Sequence, residues 1–211
     1  MRISLIHPSR GRPQKAWDTA MYWITKSIST VEHIISIDAD DTTMSNYVLL
    51  FNNKQIINLN TSVVDATNKA AKLATGDILV YLSDDFLCPQ NWDQMIIEEF
   101  QNEDRPLLIK VDDCLQPKGT PVLTIPIMNR ALYEKLGYFW HPGYKSMFVD
   151  EDLFWTCKKL NALKNSEHLQ FPHHHVSVGK AQHDETYKRS ERNWDSGKAF
   201  FQQRKAAGFP L

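Results

Sequence analysis

The sequence predicts an α/β fold in which a mostly parallel sheet is covered by helices on both faces. Three observations carry that reading. Strand-like and helix-like segments alternate through residues 1–100 as strand, helix, strand, strand, helix, strand, helix, the pattern from which parallel crossover units are built. The run Ile78-Leu79-Val80-Tyr81-Leu82 is continuously apolar, as a strand buried on both faces requires, and it stops abruptly at Ser83, Asp84 and Asp85. The chain has 211 residues, 11% aromatic and 23% charged, which is enough for one sizeable core and is not a disordered composition.

In chain order, residues 2–7 alternate and predict a first strand that opens into the loop Pro8-Ser9-Arg10-Gly11-Arg12-Pro13. Arg10 and Arg12 are of the type that grips a diphosphate through charge-assisted bonds or stacks on a base. Trp17, Ala20, Met21, Ile24 and Ile28 recur at helical spacing, which predicts a helix over 14–29 with that stripe against the sheet. Residues 33–37 predict a second strand ending at Asp38, where a carboxylate accepts bonds from a base or ribose, or caps a turn. A short strand follows at 55–59. Val63, Ala66, Ala70, Leu73 and Ala74 then predict a helix over 63–74, stopped near Gly76, that also carries Asn68 and Lys69.

The apolar strand comes next, and its acids stand where open α/β sheets bind ligands, suited to a divalent cation and a phosphate. The competing account is that one of them caps the following helix. Cys88-Pro89-Gln90-Asn91-Trp92 turns into a helix whose apolar face is Trp92, Met95, Ile96 and Phe100. In the second half, 107–111 and 121–127 predict strands, and Asn129 caps a short helix that stops at Gly137. Asp150, Glu151 and Asp152 open another helix. Its dipole favours acids there, and Phe148, Phe154 and Trp155 would desolvate one carboxylate and raise its pKa toward general-base use. His173 and His175 share one face of an extended segment and so could face one metal ion.

Composition narrows the function classes. The three cysteines, Cys88, Cys114 and Cys157, are odd in number and show no Cys-x-x-Cys spacing, which argues against a disulfide framework or thiolate zinc site and predicts a reducing, cytoplasmic setting, or the host cytoplasm for a viral protein. The N-terminus predicts a strand rather than a signal segment, and no run reaches membrane-spanning length. A net charge of −1 without a basic stripe gives no support to nucleic-acid binding. Charge is uneven, however: 77–113 holds ten acids against two basic residues, and 180–211 holds seven basic residues against four acids. A basic tail over an acidic middle suits an anionic ligand held there through a metal, although a solvated helical tail accounts for the same pattern.

Taken together, these pieces resemble the nucleotide-sugar glycosyltransferases of the GT-A fold, in particular family 2 and its viral or bacterial relatives. The resemblance spans most of the chain. It rests on Pro8 to Pro13, the strand-end Asp38, the run from Asn68 through Ala74-Thr75-Gly76-Asp77 to Asp84-Asp85, Asn91-Trp92-Asp93, and Glu151-Asp152. The sequence departs from the common Asp-x-Asp form by placing Ser83 at the first position. The resemblance implies a GT-A type sheet in a single domain, 1–211, with a nucleotide-sugar half at 1–100 and an acceptor and metal-completing half at 101–211. It implies a hexosyltransferase-like enzyme that moves a sugar from a nucleoside diphosphate, UDP by expectation, to a hydroxyl of a carbohydrate or other acceptor, with inversion.

Mn²⁺ or Mg²⁺ would stabilise the departing diphosphate. By the same resemblance Asp85 is the metal ligand, with His173 or His175 completing its shell, and Asp84 reaches the ribose or a metal-bound water beside Ser83. Pro8, Ser9, Arg10, Arg12, Asp38, Asn68 and Lys69 belong to the donor site. Asp152 is implied as base, with Glu151 orienting the acceptor and Asp150 second in line, and Lys180, Tyr187 and Arg189 form a lid over the diphosphate. A nucleotidyltransferase would carry a glycine-rich, lysine-bearing loop after its first strand, and a zinc hydrolase a His-Glu-x-x-His helix; neither is present. A non-catalytic nucleotide- or carbohydrate-binding module differs only in lacking turnover.

Overall fold

The computed structural model describes residues 1–51 and 54–211. The first half runs β1 (Ile3–Ser9), α1 (Pro13–Thr25), β2 (Glu32–Asp38), α2 (Met44–Leu50), β3 (Lys54–Asn58), α3 (Val63–Leu73), β4 (Ile78–Tyr81) and α4 (Trp92–Phe100). The second half runs β5 (Leu108–Asp112), β6 (Ile127–Asn129), α5 (Arg130–Leu136), α6 (Val149–Lys159), β7 (Leu163–Gln170), α7 (Glu185–Glu191) and α8 (Trp194–Ala206). The strands form one sheet in the order β3-β2-β1-β4-β6-β5-β7. β6 runs antiparallel to both of its neighbours, and every other pairing is parallel. The mostly parallel α/β sheet expected from the sequence is therefore what the chain builds.

Burial of the central strands on both faces explains their unbroken apolar runs. Ile6 and Leu79 enter one core with Met128, Phe139 and Trp140. Leu5, Ile78 and Val80 enter the opposite core with Trp23, Trp92, Phe100 and Phe171. Adjacent residues of a strand point to opposite faces, so a run without polar interruptions fills both cores. The capped helix after Asn129 forms as expected: the Asn129 side chain accepts from Leu132 N, and Gly137 closes the helix at φ 76°.

Four elements differ from the sequence reading. α1 ends at Thr25, not 29, and buries Ala16, Thr19, Ala20 and Trp23, whereas Ile28 is exposed. The expected stripe shares only Ala20 with that face, because the helix is rotated to bury Trp23, whose Nε1 donates to Phe86 O at 3.0 Å. The expected strand at 121–127 pairs only at Ile127. Pro121 and Pro126 have no N–H to give a ladder. α2 and β7 were not anticipated, since each buries few side chains: Tyr47 alone in α2, and Ser166 and Leu169 in β7.

β1 pairs β2 on one side and β4 on the other, so the sheet reverses its winding between β1 and β4. The ends of these strands open a crevice at that switch point.

Candidate active site

The crevice is a cleft of about 550 Å³. Its floor is the end of β1. Ser9 Oγ donates to Asp84 Oδ2 at 3.0 Å and meets the Tyr47 hydroxyl at 2.8 Å. The chain then turns through Gly11, at φ 69°, whose N–H donates to Asp41 Oδ2. That turn sends Arg10 and Arg12 to opposite sides. Arg10 Nη1 donates to Asp38 at 2.7 Å and to Asp40 at 2.5 Å, and the bond to Asp40 above all raises its pKa, against some loss by burial. Asp38 also accepts from Asn60 Nδ2 at 2.7 Å, so one end of the cleft carries an oriented carboxylate beside a guanidinium.

Arg12 reaches the other way, into two 2.6 Å bonds from Nε and Nη2 to the Asp184 carboxylate, and its guanidinium lies 4.6 Å from the centre of the Tyr187 ring. Asp184 also caps α7, so its bonds to Arg12 set the start of that helix beside the β1 loop, and Tyr187 of the first turn reaches Asp85. Arg189 of α7 lies 3.8 Å from Asp38.

At the end of β4 the two acids have separate surroundings. Asp84 turns toward β1: His7 Nε2 lies 2.9 Å from its Oδ1, Ser9 bonds its Oδ2, and Thr19 donates to its backbone carbonyl. Behind it, buried His7 meets His33 at 3.0 Å, whose pKa burial pushes well down. Asp85 turns toward the cleft. Its Oδ2 accepts from the Tyr187 hydroxyl at 2.5 Å and lies 3.4 Å from His173 Nε2. Burial works against its charge, but His173, Tyr187 and Ser83 together hold the carboxyl well below the usual range.

His173 stands there because residues 171–175 run beside 85–87: His174 N donates to Asp85 O, and Leu87 N donates to Pro172 O. The His173 ring lies 4.9 Å from that of His175, whose pKa burial lowers, keeping it in the neutral form that metals take.

Whether these residues suit a divalent cation is decided by two orphaned atoms. Asp85 Oδ1 and His173 Nδ1 are both buried without a hydrogen-bond partner. A buried ionised oxygen left unsatisfied is costly unless something cationic meets it. Among the described residues no group of three or more His, Cys, Asp or Glu side chains is arranged to hold a metal. One carboxylate and one imidazole fit an ion that completes its shell with phosphate oxygens and water, and the imidazole suits Mn²⁺ better than Mg²⁺.

The facing wall is the first turn of α6. Asp150 lines the cleft, half-buried, and accepts from Glu151 N at 3.0 Å. Burial raises its pKa, with a further push from Asp113. Asp152, implied as base by the resemblance, lies elsewhere. It is 1% exposed and outside the cleft lining, bonded by Arg204 Nε and Nη2 at 2.9 and 3.0 Å and by the Tyr144 hydroxyl at 3.0 Å. Its oxygens are spent on a buried ion pair, so the structure turns it away from any substrate. Glu151 is also outside the cleft lining.

Of the other expected site residues, Pro8, Ser9, Arg10, Arg12, Asp38, Ser83, Asp84, Asp85, His173, His175 and Tyr187 all line the cleft. Three do not. Asn68 accepts from Phe139 N and Trp140 N and donates to Trp140 O, tying α3 to the loop after α5. Lys69 bonds Asp65, Asn60 and the Leu59 carbonyl. Lys180 is exposed. Sequence reasoning missed Tyr47 and Asp184. Tyr47 lies in the unanticipated α2, whereas the cap position of Asp184 before Glu185-Thr186-Tyr187 was visible, but its bond to Arg12 spans 172 residues.

The sheet order, the switch-point cleft and the acids at the strand ends define a GT-A type α/β fold. Residues 52–143 match the model of the family described as Glycosyl transferase family 2, which bears out the family 2-like resemblance read from the sequence. No curated protein matches the sequence. Among solved structures, Staphylococcus aureus TarS 1–349 is 15% identical, with a TM-score of 0.62 over 82% of this chain and 60% of its own. The mannosyltransferase PcManGT from Pyrobaculum calidifontis, in complex with GDP-Man and Mn²⁺, is 15% identical, with a TM-score of 0.64 over 81% of this chain and 56% of its own. Glucosyl-3-phosphoglycerate synthase from Mycobacterium tuberculosis, with Mn²⁺, UDP and phosphoglyceric acid, is 14% identical, with a TM-score of 0.58 over 84% of this chain and 73% of its own. The chain thus spans 60% of the TarS fragment. Among the described residues no helix is long and apolar enough to cross a membrane.

Proposed function

We propose that this chain is a metal-dependent glycosyltransferase that moves a sugar from a nucleoside diphosphate, UDP by preference, to an acceptor hydroxyl with inversion. The carrying observation is the orphaned Oδ1 of Asp85 in a cleft that has the Arg10–Asp38 pair at one end and Asp150 on its facing wall. Solved structures of similar fold in complex with UDP, UDP-GlcNAc or GDP-Man support the donor class. In this reading residues 1–100 hold the donor, residues 101–211 bring the acceptor side and the histidines, and the chain works as one domain. Three free cysteines fit a reducing setting such as the cytoplasm.

Asp38 and Arg10 orient the nucleoside, and Asp85 with His173 would hold the cation, with the His175 ring beside that of His173. A cation bound there would supply Lewis-acid stabilisation of the charge on the departing diphosphate. Arg12 and Tyr187 cover the diphosphate once Asp184 releases the guanidinium. Asp150 takes the proton of the acceptor hydroxyl as that oxygen bonds the anomeric carbon and the bond to the diphosphate breaks. A raised pKa makes its carboxylate the stronger base. Asp84 acts from behind, holding the β1 end through Ser9 and His7.

Thermal shifts with UDP, GDP, CDP and dTDP, each with and without Mn²⁺, test the donor site. UDP with Mn²⁺ is expected to give the largest stabilisation. No metal-dependent shift with any of the four would refute the assignment.

A further inference from the structure

Asp150 has a weakness as a base: nothing outside its own helix holds it. Among the described residues no side chain hydrogen-bonds its carboxylate, which accepts from the backbone of its own turn. Its position therefore follows from how α6 starts. The residue that leads into α6 is Phe148, which sits at φ 70° and ψ 0° and makes no side-chain capping bond. A bulky aromatic residue in the left-handed region persists only where its surroundings impose it.

Those surroundings are α8 and the end of α7. Ser146 Oγ donates to Ser190 O at 3.0 Å, and Asn193 Nδ2 lies 3.3 Å from the same hydroxyl. The Phe148 ring packs edge-on against Trp194, with centroids 4.9 Å apart, and lies 5.9 Å from Phe201. Between them, buried Gly197 lets α8 approach so closely that a β-carbon there would stand 2.5 Å from the Met147 carbonyl oxygen and 3.3 Å from Phe148 Cδ2. Two turns further along α8, Arg204 grips Asp152. α8 thus holds α6 on both sides of Asp150, once before it in sequence and once after.

We propose that α8 is the positioning element for the catalytic carboxylate, with Gly197 as the positioning residue that acts through the Met147–Phe148 turn. The inference rests on the reading of Asp150 as base. Gly197→Ala is the direct perturbation, because its methyl meets backbone that has no rotamer to escape into. UDP release from UDP-GlcNAc and UDP-glucose with Mn²⁺, water serving as acceptor, gives kcat and KM. The expected result is a fall in kcat on the order of 10–100-fold, as a displacement of about 1 Å produces. KM and the thermal shift by UDP with Mn²⁺ stay at the wild-type values.

Amide hydrogen exchange over residues 147–153 reads the same clamp without turnover, and is expected to quicken at least about tenfold as the local opening free energy drops. Trp194→Ala, at a half-exposed side chain, guards against simple misfolding and is expected to give a smaller change of the same kind. Unchanged exchange over 147–153 in both variants, an unchanged kcat, or a parallel loss of UDP stabilisation would overturn the proposal. Asp150→Asn separates the two readings: full turnover in that variant removes the base assignment, whereas its loss together with a wild-type Gly197→Ala removes only the positioning role.

Discussion

Replacing Asp152 and Asp150 separately by Asn distinguishes the two acids that the sequence left competing for one role. Asp152 is 1% exposed, and its partner Arg204 is 6% exposed and donates two bonds to it at 2.9 and 3.0 Å. Asn keeps one acceptor but no charge, so the guanidinium stays buried without its counterion. Breaking such a pair costs about 3–5 kcal/mol. A chain of this length loses about 2–4 °C in Tm per kcal/mol, so Asp152→Asn should melt roughly 6–20 °C lower. Asp150→Asn removes a charge that burial already disfavours and should leave Tm nearly unchanged. Its turnover should fall by about 10²–10⁴-fold, the range supplied by a positioned base. Asp152→Asn, assayed well below its own Tm, should lose far less. Thermal denaturation and UDP release from UDP-sugars, run on both variants, give the two readouts. An Asp152→Asn protein that melts with the wild type and turns over no substrate would return the base to Asp152.

Asp85→Asn should abolish the Mn²⁺-dependent part of the UDP thermal shift and keep the metal-independent part; a shift equal to wild type would rule out Asp85 as the cation's ligand. Burial and Asp113 hold the Asp150 pKa above its ordinary value of 3.8, and a base works only when ionised. A kcat profile should therefore fall as pH drops through a limb above 3.8, and a limb at or below it would contradict the assignment. Gly76→Ala should destabilise the fold by about 1–3 kcal/mol in urea denaturation without changing donor KM, as overpacking does. The added β-carbon would stand 2.6 Å from Ser4 Oγ and 2.8 Å from both Arg2 O and Ser4 N, where the α3–β4 link crosses β1.

What the sequence made legible depended on how loudly burial is written in residue type. β1, β2 and β4 fill two cores, and their apolar runs announce them. β7 lies at the sheet edge with few buried side chains, and α2 fully buries Tyr47 alone, so neither leaves a periodic trace. Most candidate cleft residues stood at strand ends, where a general rule of open sheets points regardless of partners. Asn68 and Lys69 lie on the helix that leads into β4 but face the loop after α5 and the segment after β3, because a helix distributes consecutive residues around its whole circumference.

The same geometry explains the confusion over the acids of α6. Residues two apart on an α-helix are turned by about 200°, so Asp150 and Asp152 cannot both face the cleft. Which one does is set by the phase at which the helix begins, and that phase is fixed at Phe148 by contacts from Trp194 and Gly197, some fifty residues later in the chain. A motif read along the chain gives the acids without that phase. The selecting signal was instead Arg204, a cation on the last helix with a buried carboxylate to find: whichever acid it takes is removed from the chemistry, and the other is left facing the cleft.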